Sequence, residues 1–474
     1  MKKKQYQFKT NNGNHITLQQ LEEQISINSL HASQSHLQIC DYISEIVLRR
    51  TSLPDINKKA LGNFLYFKSF EVYVLSIVIF YNERNSDKIR SICMGTFNKI
   101  SASFLRDHDI LVDEGCITNS AENFIDLRVK NLLLKVVIHR LYYLIYCLFF
   151  YSRRSSTKVI RSWVEVSYTL FNLHYSTSTV LVYPFGLSVK RQMRYFKLLN
   201  EKKFNYKIIG LRYSFWKFLK VVFAKRKRDF NYLDLEVSAY KHHARVLSRL
   251  KPKQMFTTDE FEAAGLILNS SLIENGVEVI NKAHGIGMYC RYLCYSVFEV
   301  YNKEQIRYYK PTSPMIDYVL NKNIKAPMAP PPNQDLLNKA IVYVHSNVED
   351  IGMKCEIKIQ NQILEDLKKF TSIKGLPLIL KIHPNTSDEK VEVLMKKGFA
   401  CEKDINQIIR KYRPVFITII STAYYDYRLL GDFYFYKDRY NDASVYFGSA
   451  IKLFQPDTLC EVLEKNIDER GTTK

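Results

Sequence analysis

Ser178-Thr-Val-Leu-Val-Tyr-Pro184 is a β-branched run that closes on Pro184-Phe-Gly186; a helix-like stretch from Ser188 to Glu201 follows, then Tyr206-Lys-Ile-Ile-Gly-Leu-Arg212. Short runs rich in Val and Ile read as strands, and the Pro and Gly mark the turn out of the first. Strand, glycine turn, helix and strand in such quick succession make a βαβ unit of a parallel sheet. Ligands of such sheets sit outside the carboxyl ends of the strands.

The pattern continues outward in both directions. Met255-Phe-Thr-Thr-Asp-Glu260 reads as a strand and polar turn, Phe261 to Asn275 as a helix, and Val277 to His284 and Ser296 to Tyr301 as further strands, the last leading into a helix with Gln305 to Tyr309. Ala326-Pro-Met-Ala-Pro-Pro-Pro-Asn333 cannot be helix or central strand, because its prolines remove backbone donors, and it reads as a linker. Beyond it come the strand Ala340 to His345, a helix near Cys355 to Phe370, and the strands Leu376 to Pro384, Val415 to Ser421 and Asp432 to Tyr436. The expected fold class is α/β, with two Rossmann-like doubly wound lobes, 176–325 and 338–474, facing each other across a cleft: the GT-B arrangement. Residues 1–175 read as a mainly helical accessory region, with apolar residues at three- and four-residue spacing in Ile39 to Arg49 and Leu61 to Tyr81.

A chain of 474 residues has room for about three domains. Its 69 Lys and Arg against 47 Asp and Glu give a net charge of +22, which calls for a negatively charged partner. Nucleic acid, an anionic membrane face and a nucleotide-activated donor all meet that requirement, so motifs must decide. The nine cysteines contain no CxxC pair and read as reduced core thiols of a cytosolic protein. The polar start after Met1-Lys-Lys-Lys lacks the apolar core of a secretory signal, and the expected location is cytoplasmic, peripheral at the inner face of the cell membrane.

Leu132 to Tyr151 is almost wholly apolar, but Lys135, His139 and Arg140 within it argue against a membrane span. Two readings remain: a buried helix, or a helix lying flat with its basic groups at the headgroups. The first is the plainer reading, and the basic-aromatic stretch Trp216 to Arg228 adds weight to the second.

Four elements carry chemistry, in this order: Thr258-Asp-Glu260, Lys282-Ala-His-Gly-Ile-Gly287, Lys381-Ile-His-Pro384 and Ile420-Ser-Thr-Ala-Tyr424. The ordered set resembles bacterial sialyltransferases, polysialyltransferases and capsule Kdo transferases, and is also similar to the CDP-polyol phosphotransferases of capsule and teichoic acid synthesis. The resemblance covers about residues 178 to 470. It implies that Lys381, His383 and Pro384 hold the phosphate of a nucleotide-activated donor. A His at a strand's carboxyl end can give a charge-assisted hydrogen bond to the phosphate as it departs. Ser421 and Thr422, ahead of a helix-like stretch from Ala423 to Leu430, read as a phosphate site or as plain N-caps.

His284 and Gly285 form a turn that in the related transferases lines the cleft from the acceptor lobe. An inverting transfer needs a carboxylate to take the acceptor proton, and Asp259 or Glu260 fits that role, with helix capping by Asp259 as the plainer reading. Lys190 and Arg191 read as a solvated helix face or as contacts to an anionic acceptor. Asp107-His-Asp109 is the one DxD, outside both lobes, and no metal-ligand spacing occurs, so neither metal nor cofactor is expected.

The function implied is inverting, metal-independent transfer of a sugar from a nucleotide sugar to a growing bacterial capsule, O-antigen or lipooligosaccharide glycan, with lipid-linked acceptors at the inner membrane. One alternative keeps the fold and transfers a phosphopolyol from a CDP-polyol, releasing CMP. The other is a non-enzymatic protein that binds membrane or nucleic acid, suggested by charge alone; without a recognition motif, nucleic acid is not expected as a partner.

Overall fold

The computed structural model describes residues 6–49, 55–118, 129–150, 158–161, 179–182, 197, 206–223, 228–258, 262–283, 285–288, 292–320, 328–346, 353–383 and 386–468. The chain divides into two compact units. Met1–Ile16 and Ser33–Asn321 form the first; Thr17–Ala32 and Lys322–Lys474 form the second.

The N-terminal region is not purely helical. It carries a sheet in the order β2(His15–Thr17), β1(Gln7–Thr10), β3(Ile89–Met94), β4(Leu111–Val112). The helices of this stretch, in chain order, are α1(Leu18–Glu22), α2(Ile27–His31), α3(Gln34–Arg49), α4(Asp55–Lys68), α5(Phe70–Arg84) and α6(Lys99–Arg106). The strands were hard to see because they are short, and β3 alternates buried and more exposed residues only partly. The short helices α1 and α2 belong with the second unit.

The first unit then forms a seven-stranded, all-parallel sheet from β5(Lys158–Arg161), β6(Thr179–Val182), β7(Tyr206–Ile208), β8(Gln254–Thr257), β9(Glu278–Lys282), β10(Val297–Val300) and β11(Asp317–Leu320). Across the sheet the order is β11-β10-β9-β8-β5-β6-β7. Counted from β5, this is 7-6-5-4-1-2-3, the doubly wound Rossmann order with one added strand. The sheet therefore starts at Lys158, ahead of the boundary expected at 176, with its first strand in the stretch read as helical. Helices of this unit are α7(Val129–Ile145), extended by a π-helical turn Tyr146–Phe150, α8(Phe215–Phe223), α9(Arg228–Ser248), α10(Ala263–Glu274) and α11(Lys303–Tyr309). α10 is apolar nearly all round, as a helix covering a sheet from within must be, and Leu266, Ile267, Leu268 and Leu272 are buried.

The second unit repeats the plan with six parallel strands: β12(Lys339–Val344), β13(Leu378–Lys381), β14(Ala400–Glu402), β15(Arg413–Thr418), β16(Phe433–Tyr436) and β17(Lys452–Phe454). Their order, β14-β13-β12-β15-β16-β17, is 3-2-1-4-5-6. Both faces are covered, which explains why these strands read as unbroken apolar runs. Ile341, Tyr343, Leu380 and Ile417 pack with Leu364 and Leu367 of α12(Lys354–Lys374) and Leu463 of α17(Leu459–Asp468). Val342, Val344, Phe416 and Phe435 point the other way, toward Ile405 and Ile408 of α14(Ile405–Ile409). The remaining helices are α13(Asp388–Lys396), α15(Ala423–Tyr427) and α16(Ser444–Phe447). The expected α/β class with two doubly wound sheets thus stands on strand order. The cysteines depart from expectation in part: all those described are free, but Cys147 and Cys460 are exposed rather than in a core.

Candidate functional site

Where the strand order reverses, neighbouring loops leave in opposite directions and open a crevice at the carboxyl ends of the two strands. In the second unit that point lies between β12 and β15. Thr418, fully buried, donates its hydroxyl to the Val344 carbonyl at 3.2 Å and ties the two strand ends together.

Just past β12 stands His345, which the motif reading passed over. Its backbone N–H continues the ladder to the Lys381 carbonyl at 3.1 Å, and its ring is 8% exposed. Gln360 of α12 holds the ring: its Nε2 lies 3.2 Å from His345 Nε2. The Gln360 Oε1 accepts from the Tyr343 hydroxyl at 3.3 Å and the Ser346 hydroxyl at 3.5 Å, so the amide nitrogen faces the imidazole. Burial keeps the Tyr343 phenol protonated and a donor. His345 Nε2 is then the acceptor and Nδ1 carries the proton. Burial, helped by nearby Lys390 and His383, depresses the His345 pKa to about 4, which keeps the ring neutral. Nδ1 is buried and makes no hydrogen bond among the described residues. A buried N–H at a switch point, lacking an acceptor, is suited to an anionic ligand.

The neighbouring strand end supplies the expected residues. Lys381, 6% exposed, turns its ammonium back to the Ile382 carbonyl at 3.0 Å. Burial lowers its pKa, and Asp404 and Glu402 oppose that shift. His383, two residues past β13, is exposed, and its carbonyl accepts from the Thr386 N–H at 3.0 Å in a turn. Thr386 is 3% exposed and its hydroxyl makes no hydrogen bond among the described residues. Pro384 lies outside the described residues.

Ser421 accepts from the Ala423 N–H at 3.2 Å, while Thr422 gives no side-chain cap. The helix behind them, α15, spans five residues rather than the eight expected, since the chain turns at Leu430 and Gly431 packs against the Pro414 carbonyl. The Ser421 hydroxyl thus meets the first N–H of this short helix from the residue before its N-cap.

In the first unit the order reverses between β5 and β8. Arg161 is in register with Thr257, and Thr257 with Asn281, so these three side chains share one face of the sheet. All are at most 1% exposed. The Thr257 hydroxyl and the Asn281 amide make no hydrogen bond among the described residues. Arg161 and His139 lie near enough to His243 to help burial hold that imidazole neutral. Arg161 is the second residue the sequence reading missed, because Lys158-Val-Ile-Arg161 is too short a run to stand out in a stretch read as helical.

Asp259 and Glu260 follow Thr258 in the sequence, and both lie outside the described residues, as do His284, Lys190 and Arg191. Gly285 is described, and its turn is anchored: Gln305 of α11, 1% exposed, donates to the Gly285 carbonyl at 2.9 Å and the Gly287 carbonyl at 3.4 Å.

No family model matches this chain. No curated protein matches it either. Among solved structures it is similar to an S. aureus MnaA–UDP co-structure, at 12% identity over 66% of this chain and 88% of that one, with a TM-score of 0.35. It is also similar to the Methanocaldococcus jannaschii UDP-GlcNAc 2-epimerase in complex with UDP-GlcNAc and UDP, at 11% identity over 66% of this chain and 92% of that one, TM-score 0.35. A third is Acinetobacter baumannii MurG, at 12% identity over 66% of this chain and 90% of that one, TM-score 0.35.

Proposed function

We propose that this chain is a GT-B enzyme acting on a nucleotide sugar, and that its reaction is inverting, metal-independent glycosyl transfer to a growing bacterial surface glycan. The observation that carries the reading is the switch point of the second sheet. There a neutral His345 offers a buried N–H donor, and His383 and Thr386 stand at the adjacent strand end. A donor phosphate at this point accepts from those groups. Asp259 or Glu260, after β8, removes the proton of the acceptor hydroxyl as its oxygen bonds to the anomeric carbon. The bond from that carbon to the phosphate oxygen breaks, and the departing nucleotide keeps the electron pair, its charge stabilised by the histidine donors.

The test combines nucleotide binding and turnover. Thermal shift against UDP, GDP, CDP and CMP should show stabilisation by one of them, because a ligand that binds only the native state raises apparent stability. His383→Ala should keep the wild-type Tm without ligand and lose transfer. No shift with any nucleotide, or unchanged turnover in that variant, would remove the reading. The released nucleotide also checks the reaction: CMP from a CDP-polyol would mean attack at phosphorus instead.

A further inference from the structure

α7 and its π-helical extension leave a large part of their apolar surface exposed. The three ionisable groups of this apolar stretch each have a protein partner, although Arg140 is itself exposed. The Lys135 ammonium lies 3.0 Å from the buried Glu236 carboxylate. His139 is 5% exposed, with Nδ1 3.4 Å from the Leu211 N–H, and the Arg140 guanidinium donates to the Tyr213 carbonyl at 2.9 and 3.2 Å. The stripe opposite the buried Leu132, Val136 and Tyr146 consists of Leu133, Val137, Leu141, Leu144 and Leu148, each between 49% and 67% exposed. At 100° per residue Leu133, Val137, Leu141 and Leu144 fall on one side of the helix, with the exposed Arg140 at the edge of the strip and Leu148 following in the π-helical turn. A soluble helix places such residues inward; a strip this long on the outside marks a surface that is covered in use.

A second exposed apolar surface adjoins it. Gly210 packs against the His139 carbonyl and the Tyr143 N–H of α7 so closely that a Cβ would collide, and the chain runs from there straight into α8. α8 buries Phe218 and Val221 and exposes Phe215, Trp216 and Phe223, the last two each 74% exposed. Lys220, on the same helix, is exposed as well.

Charge selects the occupant. From Val129 to Arg154 there are five Lys or Arg and no Asp or Glu, and from Tyr206 to Arg228 eight and again none; Lys135 pairs with Glu236 and Lys217 with Asp234, which leaves eleven basic residues in excess. A second copy of this chain would bring the same basic surface and be repelled. An anionic bilayer offers both missing partners: acyl chains for the leucine strip and headgroup phosphates for the lysines and arginines, with Trp216 at the depth indoles prefer. No single described helix is long and apolar enough to cross a membrane. We propose that α7 and α8 form a docking face by which the first unit lies on an anionic lipid surface, the leucine strip embedded and the basic groups at the headgroups. The proposal does not depend on the catalytic reading.

The full chain would be floated with vesicles of phosphatidylcholine alone and with vesicles carrying phosphatidylglycerol, at low and high salt. A Trp163→Phe background leaves Trp216 as the only indole, so its emission reports burial. Flotation with the anionic vesicles is expected, weakened by salt, together with a blue shift. Leu141→Ser with Leu144→Ser and Trp216→Ala should cut the bound fraction about tenfold or more, with circular dichroism and Tm unchanged, since these side chains are exposed. Three results would overturn the proposal: no flotation with anionic vesicles at either salt, equal flotation of the triple variant, or a blue shift that follows protein concentration without lipid and tracks a dimer mass.

Discussion

His345 shows how one side chain is tuned by its surroundings. Its folded pKa of about 4 lies below the unfolded value of about 6.5. Between those values the unfolded chain binds a proton that the folded one does not. The fold therefore loses stability as pH falls from about 7 to about 4, by up to about 3 kcal/mol from this group. Glutamine can hold the Gln360 contact but cannot titrate. We expect His345→Gln to flatten the Tm-against-pH curve in that window and to raise the nucleotide Kd about tenfold, the loss of one good donor to an anion. Parallel curves for variant and wild type would show that the imidazole does not titrate as its burial requires.

At the scale of elements, two loops are held by single residues. Gln305 serves three backbone groups at once, accepting from the Tyr301 N–H at 2.8 Å while donating to the Gly285 and Gly287 carbonyls. Gln305→Leu keeps the volume but strands those groups, each at about 1–3 kcal/mol. The expected result is a Tm several degrees lower and a raised KM for the acceptor with the donor KM unchanged, measured by steady-state kinetics in both substrates. Gly210 does the same for packing. Gly210→Ala should cost about 1–3 kcal/mol by pushing the 209–213 segment off α7. A Tm equal to wild type would mean that the close approach is not needed.

At the scale of the whole molecule, residues 17–32 complete a unit whose other residues begin some 290 positions later. Ser26 donates to the buried Glu356 carboxylate at 2.6 Å, and Glu22 pairs with Lys354 at 2.6 Å. The Tyr446 hydroxyl donates to the Asn28 carbonyl. Burial raises the Glu356 pKa, and the Ser26 hydroxyl together with backbone N–H groups of α2 opposes that rise. Ser26→Ala leaves the carboxyl group short of a donor and should destabilise the second unit by about 1–3 kcal/mol, seen as earlier denaturant unfolding and faster proteolysis within 322–474. Proteolysis unchanged in both units would show that the segment is dispensable to that unit.

The central parallel strands of both sheets were legible because burial on two faces makes them apolar nearly throughout. The proline-rich stretch likewise announced a boundary near 326, since proline forbids both regular structures. Lys381-Ile-His383 could be placed at a strand end for the same local reason, although the strand stops at Lys381. The short edge strands Ala400–Glu402 and Lys452–Phe454, and the first strand Lys158–Arg161, were not legible, because a run of three or four residues has no period of its own. Strand order is likewise a property of pairing and not of any one segment. It decided that His345 and Arg161 stand where each sheet reverses, and packing in turn decided that Thr17–Ala32 belongs with residues some 300 positions away and that five apolar side chains of α7 and its extension lie exposed. Sequence determines which residues seek burial; only the folded neighbours determine which of them find it.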